Sequence, residues 1–202
     1  MTFSYSNFYA CISNDWQFSF GDPSLTGWAT TAAYVLAALL AVSVLRTAPF
    51  APGHHQRERL LWVLIAGLMG AVALNKQLDL QTLTLTAGRC LSKEQGWYED
   101  RRLVQRDFIF MLIATATLTM AVMVWLLRGI VRHNLTALMG LAALSVFVVI
   151  RGGHFFHIFV PEQELADRLV HLLTASLEAV SPLLIIAAAG GFLRSRPSAG
   201  AA

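Results

Sequence analysis

The chain has 202 residues, 56% of them hydrophobic and 13% charged, with a formal net charge of +3. Soluble domains carry about a quarter charged residues, no polar stretch here approaches domain size, and the Lys and Arg residues are scattered at the ends of apolar runs. A large soluble domain and a nucleic-acid-binding surface are therefore excluded. Several apolar stretches reach the roughly 20 residues needed to cross a bilayer. The expected fold is all-α: a polytopic, five-helix transmembrane bundle whose first partner is the lipid bilayer.

Residues 1–24 contain Asp15 and Asp22 but no Lys, no Arg and no compact apolar core, so they read as an N-terminal segment outside the membrane and not as a cleavable signal. Asp22-Pro23-Ser24 is a cap and turn leading into a first helix over about 25–45. A polar loop with Pro49, Pro52 and Gly53 follows. The second helix is expected over about 60–86, before Gly88. The third spans about 108–127 with Asp107 as its cap, the fourth 135–158 and the fifth 165–193. Residues 194–202 form a short polar tail.

Five spans put the termini on opposite sides. Arg46, Arg57, Arg59, Arg128, Arg132, Arg194 and Arg196 then share one face, with Glu58 the only acid among them. On the other face the basic residues are interleaved with acids. Short Arg-only loops are the stronger cytoplasmic signal, which places the N-terminus outside and the C-terminus inside. Cys11 and Cys90 then both lie outside, where a disulfide persists. Sequence leaves two states open, a Cys11–Cys90 bond or two free thiols, because it does not give their separation.

Three spans carry a charge at nearly one depth. Lys76, Arg151 and Glu178 lie about 22–25 Å from the presumed cytoplasmic ends of their helices, at about 1.5 Å rise per residue. Charges at that depth need partners or a wet cavity. Lys76 sits in the polar run Asn75-Lys76-Gln77-Leu78-Asp79, and Arg151 in Arg151-Gly152-Gly153-His154-Phe155-Phe156-His157. His171 and Glu178, seven residues apart, share a helix face. Pro182 removes the hydrogen bond that the Glu178 carbonyl would accept, leaving a free carbonyl beside a carboxylate.

Two chemistries suit this set. In the first, a divalent metal such as Zn²⁺ is held by His154, His157, His171 and Asp79. Glu178 acts as base, and Lys76 or Arg151 steadies an oxyanion or phosphate. Asn75, Gln77, Arg89 and Arg102 would contact a lipid or lipid-linked substrate. In the second, the protein is no enzyme, and the cluster binds haem, a quinone, an anion or a proton. A third reading is structural, with the ion pairs fixing the bundle and the outer loops docking other membrane subunits. The blander alternatives stay open: interfacial histidines, a snorkelling Lys76 and solvated loop arginines. No His-Glu-x-x-His helix, nucleophile elbow, P-loop or Cys-x-x-Cys occurs.

The segments GDPSLTGW (21–28), NKQLDLQTLTLTAGR (75–89) and QGWYEDRRLVQ (95–105) resemble those of a group of small multi-pass bacterial inner-membrane proteins. The resemblance covers about a third of the chain and implies a bacterial inner membrane with polar residues near its outer surface. It transfers no catalytic role. Some members of that group carry the label isopropylmalate isomerase, which implies an iron–sulfur enzyme. Such a cluster needs several cysteine ligands, and this chain has two.

Overall fold

The structure is a computed structural model and describes residues 4–17, 21–47, 50, 53, 55–129, 131–155 and 164–194. Seven α-helices and no strand occur among them: α1 Tyr5–Asp15, α2 Leu25–Thr47, α3 His55–Leu78, α4 Leu80–Glu94, α5 Arg101–Leu126, α6 Leu135–Phe155 and α7 Glu164–Arg194. Five of these, α2, α3, α5, α6 and α7, are long and apolar enough to cross a membrane. The bundle is organised around α7, which packs on both α2 and α6, while α2 also packs on α3. Its core joins Tyr34 and Ala37 of α2, Trp62 and Ile65 of α3, Leu141 and Phe147 of α6, and Ile185 and Ala189 of α7. Small residues bring the backbones together, as membrane helices require in the absence of a strong hydrophobic drive. A Cβ at Gly140 would stand 2.7 Å from Ile185 Cδ1 and 3.2 Å from the Ser181 carbonyl oxygen.

α5 is peripheral. Only 11% of its span is buried, against 22–33% for the other four, and its main contact is with α6. Its outer face presents Phe110, Met111 and Leu118, as a lipid-facing surface does.

The expected second helix over 60–86 is two helices. Asp79 adopts φ 47°, ψ 41°, the left-handed region, and this breaks the chain between α3 and α4. A left-handed residue cannot continue an α-helix, so α4 leaves the axis of α3. Asp tolerates this conformation better than most residues, and the Thr82 hydroxyl donates to its Oδ1 at 2.8 Å. Gly88, expected as a stop, lies inside α4. Asp107, expected as a cap, is an exposed residue within α5, whose entry is a 3₁₀ turn at Tyr98–Asp100. α6 is described to Phe155; the expected end at 158, with His157, lies outside the described residues.

α1 and α4 form a cap over one end of the bundle, joined by the Cys11–Cys90 disulfide with Cα atoms 5.9 Å apart. The Ser4 amide also donates to Glu94 Oε1 at 3.2 Å. The bond closes a separation of 79 residues. Loop entropy alone would make that worth about 4–5 kcal/mol in a chain free in water. Here α2 and α3 lie within that loop, and their insertion already restricts it. The Cys11→Ser/Cys90→Ser protein is therefore expected to unfold within about 1–2 kcal/mol of the parent, far below the free-chain value. Chymotrypsin should now cut α1 near Tyr5 and Tyr9. Cleavage unchanged from the parent would show that other contacts hold the cap.

Candidate functional site

The break at Asp79 exposes the last carbonyls of α3, which lack helical partners. The N-terminal segment supplies one: the Gly21 amide donates to the Gln77 carbonyl at 3.1 Å. Gly21 lies so close that a Cβ there would stand within clashing distance of the Lys76 carbonyl. Gly21→Ala is expected to lift this segment off α3. The loss should be about 1–2 kcal/mol, read as a lowered midpoint of SDS-induced unfolding; an unchanged midpoint would deny the close contact.

From that anchor Asp22 reaches the site. Its Oδ1 accepts from the Ser24 amide at 3.1 Å and the Ser24 hydroxyl at 2.6 Å, and its Oδ2 accepts from Lys76 Nζ at 3.3 Å. Ser24 Oγ in turn accepts from the Gly27 amide at 3.0 Å, capping α2. Gly27 leaves the room that the Asp22 carboxylate occupies. The string GDPSLTGW is thus one device: it docks on α3, caps α2 and presents a carboxylate. The Ser24 hydroxyl, ahead of Lys76, holds the Asp22 carboxyl below the usual carboxylate range. Its contribution is complete above the ordinary pKa of 3.8 and is lost as pH falls through the lower folded value.

Lys76 joins three elements. Its Nζ donates to Glu178 Oε1 of α7 at 2.5 Å as well as to Asp22. The Lys76 and Glu178 side chains are 11% and 15% exposed, so this is a largely desolvated pair. One turn beyond Glu178, the buried Pro182 lacks an amide N–H. The carbonyl it leaves on Glu178 is not free, contrary to expectation. The fully buried Tyr34 hydroxyl of α2 donates to it at 3.0 Å.

Glu178 and Lys76 stand in the wall of a cavity of about 300 Å³. Asp22, Asn75, Asp79 and Arg151 also line it, and Phe108, Leu112, Phe147 and Val148 give it an apolar side. Arg151 lies over the Phe147 ring, 6.0 Å from its centroid. The three charges read at one depth therefore border one space, together with Asn75 and Asp79.

The remaining expected residues lie elsewhere. Gln77 turns to α2 and donates to Thr31 Oγ1 at 2.8 Å. Arg89 on α4 and Arg102 on α5 are exposed and do not line the cavity. His171 is exposed on α7 and also lies outside the cavity wall. His157 and the side chain of His154 fall outside the described residues. Among the described residues, the group of three side chains close enough to share a metal is Cys11, Asp15 and Cys90, and its two sulfurs are joined to each other.

A second buried polar contact, at the other end of the bundle, was not anticipated from sequence. Asn134 Nδ2 donates to Glu58 Oε1 at 3.0 Å, and both residues are buried. In the sequence Glu58 stands only as the single acid among loop arginines. Its place four residues before the buried Trp62, on the same helix face, was the available signal.

No protein-family model matches the chain, and no curated protein or solved structure shows significant similarity to it.

Proposed function

We propose that this chain is a membrane-embedded binding protein that holds the polar head of a small amphipathic ligand in the Lys76–Glu178 cavity. One observation carries the reading: a desolvated ion pair borders a cavity of about 300 Å³ instead of being sealed in the core. An ion pair kept for stability alone gains nothing from adjoining space, and apolar replacements are often as stable. Charged groups inside membrane spans are costly and usually serve a ligand or pathway. The cavity volume is at the small end of ligand sites. Its walls suit a molecule with a polar and an apolar side.

The charge balance narrows the head group. Two cations, Lys76 and Arg151, face three carboxylates, Asp22, Asp79 and Glu178, for a formal sum of −1. A phosphate dianion meets no net attraction there. A neutral or zwitterionic head, or a quinone ring, meets donors and acceptors at once. The test is a solvent extract of the purified protein, read by mass spectrometry beside metal analysis and an absorption spectrum. An amphiphile retained near one per chain is expected. A haem band or stoichiometric zinc without such an amphiphile would overturn this reading.

We place the protein in the bacterial inner membrane with the α1–α4 cap outward. The Cys11–Cys90 bond supports this, because disulfides persist in oxidising compartments, as does the Arg-rich opposite end. A reporter enzyme active only outside the cytoplasm should be inactive when fused after Ala202. An active fusion would reverse the orientation.

A further inference from the structure

We propose a second binding site, separate from the polar cavity: a groove between α5 and α6 that holds one acyl chain of an anionic phospholipid, with its phosphate on Arg128. The groove is open on its lipid side and has a volume of about 740 Å³. Ile113, Ala116, Met120, Val124 and Trp125 form its α5 wall, and Ala142, Val146 and Val149 lie opposite. Arg128 closes the end away from the α1–α4 cap. It is exposed just beyond α5, and no carboxylate pairs with it among the described residues.

The α5 wall runs about 22 Å from Ile113 to Arg128 and the α6 wall about 12 Å from Ala142 to Ile150, at 1.5 Å per residue. The α5 side matches one leaflet. One leaflet including its head-group layer is about 20–22 Å thick, half of a 40–45 Å bilayer. The groove starts near the middle of the α5 span and ends at Arg128, so it covers the leaflet opposite the cap.

Chemistry sets the head group. A guanidinium binds phosphate oxygens through paired charge-assisted hydrogen bonds, which an ammonium does less well. With no acid beside Arg128, a phospholipid of net negative charge is favoured over a zwitterionic one. The polar cavity, with its sum of −1, makes no such selection, so the two sites take different head groups.

The test uses the purified protein in nanodiscs that contain diazirine-acyl phosphatidylglycerol or the matching phosphatidylcholine probe. Irradiation should label α5 and α6 between residues 113–125 and 142–150, with phosphatidylglycerol ahead. Arg128→Gln, an exposed change that leaves the fold alone, should cut phosphatidylglycerol labelling about tenfold, about 1.4 kcal/mol. Arg128→Lys should cut it less. Ala142→Trp should block labelling of the groove while the polar-cavity ligand stays in the solvent extract. Equal labelling by both probes, labelling insensitive to Arg128→Gln, or no labelling in the groove would overturn the proposal. So would efficient Val124→Cys crosslinking between copies, which would mean that a second chain covers the groove.

Discussion

Replacing Lys76 with Met is expected to destabilise the bundle by about 3–5 kcal/mol, the usual effect of leaving a buried charge without its partner. The substitution strands Glu178 at membrane depth and Asp22 beside it, because one ammonium serves both carboxylates. Glu178→Leu should cost less, since Lys76 keeps Asp22 at 3.3 Å. The double variant Lys76→Met/Glu178→Leu should recover most of the loss, because two apolar groups of similar volume need no compensation. SDS-titrated unfolding of the four proteins gives the coupling directly. Equal and additive losses would mean that the two side chains do not meet in the folded protein.

The second large effect is at Tyr34. Tyr34→Phe removes the hydroxyl that satisfies the Glu178 carbonyl, and about 1–3 kcal/mol should be lost for a buried acceptor left bare. The cause is Pro182, so the two positions should be coupled. Pro182→Ala restores an amide N–H one turn on, and the helix can then satisfy that carbonyl itself. In the Pro182→Ala background, Tyr34→Phe should therefore cost at least about 1 kcal/mol less than in the parent. The same cost in both backgrounds would show that the hydroxyl acts through packing and not through this carbonyl.

The parts legible in the sequence and the parts that were not differ in physical kind. Apolar length is a local property, and it marks the existence of all five membrane-length helices, with α2 and α7 placed within two residues, while the expected ends of α3 and α5 miss by up to eight. The common depth of Lys76, Arg151 and Glu178 follows from the helical rise, so their convergence could be read before any coordinates. The break at Asp79 could not, because Asn-Lys-Gln-Leu-Asp contains no Gly or Pro. Beside the local Thr82 hydroxyl on Asp79, the break is accompanied by a distant contact that no local pattern announces, the Gly21 amide on the Gln77 carbonyl. Asp22 looked like a cap residue and is one, but its second role toward Lys76 depends on how the N-terminal segment docks. The Glu178 carbonyl shows the same limit. Pro182 announces that a hydrogen bond is missing, and only the packing of α2 on α7 supplies Tyr34. Glu58 was overlooked because an acid near a loop reads as solvated until Asn134 is brought over it.

Arg89 and Arg102 illustrate the converse. Their charge and position in the outer segments suggested substrate contact, yet α4 and the first turn of α5 turn both outward. A loop arginine has no periodic pattern to say which way it faces, whereas a lone charge inside an apolar helix has few places to go.

The most direct measurement compares the parent protein with Lys76→Met/Glu178→Leu, purified from the same membranes and extracted for bound amphiphiles. The double variant removes the Lys76–Glu178 pair from the cavity wall without stranding Glu178, and Asp22 keeps its hydrogen bonds from Ser24, so the fold should survive. The account predicts near-parental unfolding stability with the co-purifying amphiphile lost from the extract. A stable double variant that retains the same molecule at the parental stoichiometry would contradict it.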